Sequence, residues 1–190
     1  MLYLISALEA ENISFDSSLK SSSHILKNWL RRNQIYMLYT CPSRRCLESI
    51  GPYVLQRKTN GEYVRAEIRF ELCDRVLLPE QKPHALDVEY IRSFGMQPQN
   101  VLGVISGPEP SENDFERRVV EWFTNDFLEK YRDAPNPTAI VADGAVLAPI
   151  MKFLHRRQKV YSIPSLTPGQ AAEYKSDGLN LSFSSILAIN

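Results

Sequence analysis

Short apolar runs alternate along the chain with segments that carry apolar residues at helical spacing. The runs typical of buried strands are 2–8, 35–40, 101–105 and 139–142. The segments with helical periodicity are 19–30, 46–50, 85–94, 111–131 and 146–154, and 179–189 is expected to be extended again. This alternation predicts an α/β fold with a layered mixed sheet flanked by amphipathic helices. We expect a smaller, mainly helical lobe at the C-terminal end.

The length and the connections of the chain favour one domain. The sequence has 190 residues, no internal repeat and short loops. We predict a single domain over 1–190. A division into two lobes, 1–134 and 135–190, is left open.

Three dipeptides predict where elements end or begin. Gly51–Pro52 is expected to end the second helix. Asn60–Gly61 has the residues of a tight hairpin turn, and Thr167–Pro168 is expected to begin a short helical segment. After the hairpin turn, the alternation over 67–72 predicts a strand with its two glutamates on an exposed polar face.

The charge of the chain is balanced, which excludes some classes of protein. Lys and Arg number 22 and Asp and Glu number 22, so the formal net charge is zero. A dedicated nucleic-acid-binding protein takes most of its affinity from basic groups that neutralise phosphates, so no nucleic-acid partner is predicted. With 44% hydrophobic residues the chain is also unlike a disordered protein.

The N-terminal apolar run and the cysteines bear on location. The run lacks leading basic residues and turns acidic at Glu9 and Glu11, which favours a buried strand over a secretory signal. No window approaches the ~18 apolar residues of a membrane span. Cys41, Cys46 and Cys73 have no metal or disulfide spacing and are expected to be reduced thiols in the core. We therefore predict a cytoplasmic protein without membrane contact.

Charge is distributed unevenly along the second half of the chain. The segment 109–133 carries eight acidic and four basic residues, whereas 152–159 carries four basic residues and no acidic one. Opposed patches of this kind either pair inside the fold or steer a protein partner. The sequence leaves both alternatives open.

The sequence contains no motif that predicts a cofactor or a metal. The glycine-rich motifs of phosphate-binding and dinucleotide-binding loops do not occur. His24, His84 and His155 are scattered, without the spacing of a histidine metal site. We therefore predict no cofactor and no metal.

Two sets of carboxylates are the candidates for chemistry. Glu67, Glu71 and Asp74 are the nearest approach to a cluster that could hold a divalent ion. Asp143 follows a buried strand directly, and functional groups gather at the carboxyl ends of strands in α/β folds. Asp143–Gly144 is also the pattern of a turn with a helix cap, so a structural role stays open.

The order of several short motifs resembles a known family. The motifs are Leu38–Tyr39, the segment 51–55, Leu102–Ile105, Phe115–Arg118, Ala142–Leu147 and Leu166–Gln170. In this order they are similar to the adaptor-chaperone (Tap or Tec) family of bacterial type VI secretion. The chain departs from the family pattern at Ser6, where the family has Asp, and at Gly144 and Ala145, where it has Pro and Arg.

The resemblance implies a function without catalysis. Members bind a toxic effector in the cytoplasm and help to load it on the spike complex of the VgrG or PAAR type. The effector and the spike protein are therefore the expected partners. The contacts that the resemblance suggests are Arg117, Arg118, Asp143, Arg156 and Arg157.

Two other hypotheses fit a chain of this size. One is an immunity protein that inhibits a toxin, which has the same small, non-catalytic profile. The other is a small metal-dependent hydrolase or nuclease that uses Asp143, or the group Glu67, Glu71 and Asp74.

Overall fold

The computed structural model describes residues 1–8, 18–73, 88–96, 101–102, 111–133, 136–158, 162, 164–177 and 180–189. The strands are β1 (Leu2–Ser6), β2 (Met37–Thr40), β3 (Arg65–Arg69), β4 (Val101–Leu102), β5 (Thr138–Ala142), β6 (Gln170–Ser176) and β7 (Leu181–Ala188). The helices are α1 (Ser18–Arg32), α2 (Arg44–Thr59), α3 (Val88–Ser93), α4 (Glu112–Glu121), α5 (Leu128–Asp133) and α6 (Gly144–Arg157). A 3₁₀ helix spans Phe70–Leu72, and a π-helical segment, Trp122–Phe127, joins α4 to α5.

The strands form one mixed sheet in the order β4-β3-β2-β5-β1-β6-β7. The first five of these strands run parallel, and β6 and β7 are antiparallel to their neighbours. The predicted α/β fold with a layered mixed sheet is confirmed. The C-terminal part differs from the predicted, mainly helical lobe, because it contributes one helix and three strands, and β5 lies between β1 and β2 in the same sheet.

The helices cover both faces of the sheet. Tyr3 of β1 packs edge-on against Trp29 of α1, with ring centroids 5.0 Å apart. Tyr39 of β2 packs against Trp122 at 5.7 Å. Leu4 and Tyr39 both pair in register with Ile140 of β5, so they share a face, and Tyr3 points to the opposite one. Thus α1 lies on one face and the segment from α4 to α5 on the other.

An aromatic cluster forms the core under α4 and α5. Phe127 is 1% exposed, and its ring lies 5.2 Å from Tyr39, 5.1 Å from Phe123 and 5.4 Å from Tyr131. The sequence predicts a regular helix over 111–131, whereas the structure has a π-helical segment in its middle. This segment turns Trp122, Phe123 and Phe127 together toward the sheet, where all three are buried.

The second helix is longer than predicted, because α2 continues through Gly51–Pro52 to Thr59. The end predicted at this dipeptide is wrong. A Cβ at Gly51 would lie 2.1 Å from Cδ1 of Phe94, so glycine leaves room for the ring that packs on the helix. The helix ends at Asn60, and Gly61 follows with φ of 69°. The hairpin predicted there is wrong as well, because β3 pairs in parallel with β2.

Two further predictions of local structure fail for tertiary reasons. Glu67 is 1% exposed and not on an open polar face, because it pairs in register with Tyr39 and so lies on the face of the sheet that the segment from α4 to α5 covers. Its carboxylate pairs with the guanidinium of Arg65 at 2.6 Å. At Thr167–Pro168 the chain makes a turn that leads directly into β6, where a helical segment was expected.

Predictions about the N-terminal run and the thiols are confirmed. The run forms β1, all of which is buried. Cys41, Cys46 and Cys73 are buried, and none of them is in a disulfide. Among the helices that the structure describes, none has both the length and the apolar character needed to cross a membrane.

Candidate functional site

The carboxyl ends of three neighbouring parallel strands define the candidate site. β5 lies between β1 and β2, so Ser6, Thr40 and Ala142 end side by side. Two backbone-directed hydrogen bonds tie these ends together. The Thr40 hydroxyl donates to the Val141 carbonyl at 3.0 Å, and the Ala7 N–H donates to the Ala142 carbonyl at 2.9 Å. The chain leaves β2 toward β3 on one side of the sheet and leaves β5 toward β6 on the other side. At the point between two such strands, α/β folds form their ligand-binding crevices.

An arginine and an aspartate meet at this carboxyl edge. Asp143 follows β5 at the N-cap position of α6, and Arg45 lies in the first turn of α2, which follows β2. Their side chains form an ion pair, and both are partly open to solvent, 35% exposed for Arg45 and 21% for Asp143. The Asp143 side chain makes no capping hydrogen bond to α6. Its carboxylate faces Arg45 instead.

The first turn of α2 is held by local hydrogen bonds. The Ser43 hydroxyl accepts from the Cys46 N–H at 3.3 Å and from the Cys41 thiol at 3.0 Å. A hydrogen bond between the Cys41 and Cys46 side chains lowers the pKa of the buried Cys46 thiol, and the same bond together with burial raises the pKa of Cys41. These contacts fix the turn that presents Arg45.

The start of α6 is closely packed, and the packing requires a glycine. A Cβ at Gly144 would lie 2.6 Å from the Leu166 carbonyl oxygen and 3.6 Å from the Ser6 hydroxyl. The segment around Leu166 therefore lies directly against the first turn of α6. This segment and the buried Ser6 side chain form one side of the candidate site.

The electrostatics of the site suit an anion. The N-termini of α2 and α6 both lie at the carboxyl edge, and each presents backbone N–H groups and the positive end of a helix dipole. Arg45 adds a planar guanidinium that can bind a phosphate or carboxylate through two hydrogen bonds. Asp143 is the negative group that occupies Arg45 in this structure.

Arg45 is the residue that the sequence analysis missed. A signal was present, because polar residues follow the buried strand β2 as Asp143 follows β5. The carboxyl ends of parallel strands meet at one edge, so the residues that follow two such strands can lie close together. The pairing required knowledge that β2 and β5 are neighbours, which the sequence does not reveal.

The five residues proposed as partner contacts do not form one cluster. Arg117 is exposed and pairs with Asp114 of its own helix at 2.6 Å. Arg156 and Arg157 lie in the last turn of α6, whereas Asp143 precedes its first residue. A helix of 14 residues separates these ends by about 20 Å. Their role in partner binding stays a prediction.

Arg118 has a structural contact. Its guanidinium donates from Nη1 to the Phe70 carbonyl at 2.9 Å and from Nη2 to the Cys73 carbonyl at 2.9 Å. It thereby holds the 3₁₀ turn that follows β3. Lys152 of α6 pairs with Glu116 of α4. Part of the opposite charge of segments 109–133 and 152–159 is therefore paired inside the fold.

Replacing Arg118 by alanine is expected to destabilise the protein, because two partly buried carbonyl groups lose a charged donor. A hydrogen bond to a charged group contributes about 1.5–3 kcal/mol, so we expect a fall of about 2–3 kcal/mol in the free energy of unfolding. Urea denaturation measures it. Arg117→Ala is the matched control on the same helix and should change stability by less than about 0.5 kcal/mol. Equal effects of the two variants would contradict the structural role of Arg118.

The other predicted carboxylate group does not form a site in the described residues. Glu67 pairs with Arg65, Glu71 pairs with Arg69 at 3.1 Å, and Asp74 lies outside the described residues. No group of three or more His, Cys, Asp or Glu side chains in the described part of the chain could hold a metal ion.

The histidines that the structure describes are far from the carboxyl edge or turned to solvent. His155 is buried near the C-terminal end of α6, and its Nε2 lies 3.2 Å from the Tyr174 hydroxyl. His24 is exposed on α1, and His84 lies outside the described residues. Among the described residues, Asp143 is thus the acidic side chain that pairs with Arg45.

Comparisons with known proteins find the same fold in solved structures. No protein-family model and no curated protein sequence matches the chain. Bacillus stearothermophilus YhfR matches with a TM-score of 0.60 at 17% identity, over 96% of this chain and 94% of its own. The ecdysone phosphate phosphatase of Bombix mori, solved with tungstate, matches at 0.64 and 8% identity over 97% and 91%. The alpha-ribazole phosphatase of Shigella flexneri matches at 0.59 and 12% identity over 99% and 96%.

Two of these structures are named phosphatases, and at such identities the likeness establishes a shared fold. The resemblance to type VI secretion adaptor-chaperones is therefore wrong. The motifs that carried it are short and common in α/β proteins, so their order did not specify a family. The predictions of a non-catalytic adaptor and of a chain that is not an enzyme are corrected with it, because the matched folds are those of named phosphatases. The expected effector and spike partners are not tested by the structure.

Proposed function

We propose that the protein is a hydrolase that cleaves phosphate monoesters at the carboxyl edge of β1, β5 and β2. In this proposal Arg45 binds the phosphate group and Asp143 transfers a proton. The observation that carries it is the meeting of Arg45 and Asp143 between two helix N-termini. The fold shared with named phosphatases over almost the whole chain supports the same class of substrate.

Binding of a phosphate is the first function that these residues can perform. The guanidinium of Arg45 presents two parallel N–H donors, which match two oxygens of a phosphate group. Arg45 is 35% exposed, so a ligand can reach it from solvent. The free N–H groups in the first turns of α2 and α6 supply additional donors at the same edge.

A bound phosphate would change the state of Asp143. The phosphate competes with this carboxylate for Arg45, and two negative groups at close range repel each other. Such repulsion favours protonation of the carboxylate, because a nearby like charge raises the pKa of an acid. Substrate binding would thus favour the protonated form of Asp143, which is the form that catalysis needs.

Protonated Asp143 can then act as a general acid. A water molecule from solvent attacks the phosphorus while the bond to the leaving oxygen breaks, and the attacking water loses a proton to solvent. Asp143 gives its proton to the leaving oxygen, which would otherwise depart as an alkoxide. Proton transfer from a positioned acid accelerates such a step by about 10²–10⁴ fold. Arg45 meanwhile stabilises the negative charge on the phosphate oxygens. In this proposal Arg45 therefore stabilises charge and Asp143 transfers the proton.

The test is phosphate release from p-nitrophenyl phosphate and from a panel of phosphorylated amino acids, sugars and nucleosides. We expect activity in the purified protein, and a fall in kcat/KM of about 100-fold or more in Arg45→Ala. Arg44→Ala is the matched control. This substitution removes the same charge from the same helical turn. The Arg44 side chain, however, pairs with Glu48 at 2.6 Å and is 63% exposed.

The outcomes separate binding from hydrolysis. Titration with inorganic phosphate, followed by ³¹P NMR, reports binding independently of turnover. Binding that Arg45→Ala abolishes, with no hydrolysis of any ester in the panel, would overturn the hydrolase and leave an anion site. Equal activity of the two arginine variants would remove Arg45 from the proposal. The cytoplasmic location stays a prediction, which fractionation of native cells can test.

A further inference from the structure

A cavity lies at the opposite edge of the sheet, far from Arg45 and Asp143. It has a volume of about 410 Å³ and lies between the C-terminal ends of α5 and α6 and the turn from β6 to β7. Because β6 runs antiparallel to β1, its end at Ser176 lies level with the start of β1. The cavity thus opens at the amino edge of the parallel strands. Its volume falls within the range of about 300–1,000 Å³ that is typical of small-molecule sites.

Two arginines line this cavity without a carboxylate partner. Arg132 ends α5 and Arg157 ends α6, and both are exposed on the cavity wall. Among the described residues neither guanidinium forms an ion pair, and Arg157 lies over the Phe153 ring at 5.6 Å. Basic residues in a last turn suit the helix dipole, but this alone does not bring two of them to one cavity.

The acidic group on the wall does not neutralise both arginines. Asp177 is the carboxylate among the lining residues, and one of its oxygens accepts the Asn180 N–H at 2.7 Å. Two guanidinium groups therefore face the cavity against one carboxylate that already serves the turn. The remaining charge of the lining is positive.

The deeper part of the cavity is apolar with one polar group. Leu128 and Leu154 are 7% and 3% exposed. The Tyr131 hydroxyl is buried in the same wall, within hydrogen-bonding reach of the Ser176 side chain.

The outer wall is held in place by Gln158, the residue that caps the C-terminal end of α6. Gln158 donates from Nε2 to the Leu181 carbonyl, and its Oε1 accepts the Phe183 N–H at 3.2 Å. The two bonds fasten the start of β7 to the end of α6. The cavity is thus bounded by ordered backbone, with its polar groups already positioned.

We propose that this cavity binds a small amphipathic anion. A carboxylate or phosphate head would contact Arg132 and Arg157, and a short apolar body would lie against Leu128 and Leu154 beside the Tyr131 hydroxyl. The site is separate from the carboxyl edge and does not depend on the proposed hydrolase activity. Its ligand is recognised by charge at the mouth and by apolar contact inside.

Titration with hexanoate tests the proposal, with hexylammonium as the probe of opposite charge and hexyl phosphate as the second anionic head. We expect hexanoate to bind with a dissociation constant on the order of 1 mM, as its size allows, and to shift the amide resonances of Asn180 and Ser182. Stronger binding of hexyl phosphate would assign the natural head group to phosphates, and stronger binding of hexanoate would assign it to carboxylates.

Three arginine variants test whether the two arginines of the cavity wall bind the anionic head group. Arg132→Gln and Arg157→Gln should each weaken hexanoate binding by about tenfold. Arg156→Gln, on the same helical turn but not on the cavity wall, should bind as the unmodified protein does. Equal binding of hexylammonium, an equal loss in Arg156→Gln, or no hexanoate binding at about 10 mM would overturn the proposal. Asp143→Asn should leave hexanoate binding unchanged, so the two sites can fail separately.

Discussion

Phe127→Ala is expected to lower the free energy of unfolding by about 4 kcal/mol, the largest effect on stability that we predict from a single side chain. Phe127 is 1% exposed and contacts the rings of Tyr39, Phe123 and Tyr131. The substitution removes buried apolar surface and leaves a cavity between the π-helical segment and the sheet. The surrounding rings are fixed by one another, so they cannot close it fully.

Urea denaturation at equilibrium measures this loss. A domain is stable by only about 5–15 kcal/mol, so the alanine variant can be close to unfolding at 25 °C. Phe127→Leu retains most of the volume and should lose less than half as much. Tyr63→Ala is the surface control, because Tyr63 is 70% exposed, and it should change stability by less than about 0.5 kcal/mol. A loss below about 1 kcal/mol in Phe127→Ala would contradict the packing described for this cluster.

Asp143→Asn is expected to reduce kcat/KM for phosphate esters by about 100-fold or more while the fold is kept. The amide has nearly the shape of the carboxylate but cannot deliver a proton. Its ion pair with Arg45 is partly exposed, so the cost in stability should stay below about 1 kcal/mol. Circular dichroism and urea denaturation separate the catalytic loss from a structural one.

The pH profile tests the same role with a definite sign. A general acid works only while protonated, so kcat/KM of the unmodified protein should fall toward high pH. In Asp143→Asn this limb should disappear. Asp114→Asn is the control, because Asp114, like Asp143, pairs with an arginine, and its carboxylate is exposed. The Asp114→Asn variant should keep both the rate and the fall of kcat/KM toward high pH. A falling limb that persists in Asp143→Asn would exclude this residue as the acid.

The double variant examines whether Arg45 and Asp143 act as a unit. Residues in direct contact usually show non-additive effects, whereas distant residues add. If the phosphate must displace Asp143 from Arg45, the loss in the double variant should be smaller than the combined single losses. Strict additivity would indicate that the two residues act at separate steps.

The local pattern of the chain predicted many elements correctly because each is encoded within a short segment. β1, β2 and β5 are buried on both faces, and continuous apolar runs mark such strands. Apolar residues at helical spacing marked α1 and α6, each of which has an exposed face. The α/β class followed from their alternation.

Predictions failed where a contact distant in sequence decided the structure. Gly51–Pro52 is a common helix end, yet the packing of Phe94 and the rest of the core carries α2 past it. Glu67 has the spacing of an exposed residue, but its face of the sheet is covered by the segment from α4 to α5. The family resemblance failed for a related reason, since short motifs in a given order are shared by many α/β chains.

By itself the sequence determined the buried strands, the amphipathic helices, the reduced thiols and the presence of an acid directly after β5. Only the tertiary structure decided that β5 enters the sheet between β1 and β2, which brings Asp143 to Arg45 across about a hundred residues of chain. The physical reason is that periodicity records which face of a segment is buried. It does not record against which other segment that face is packed.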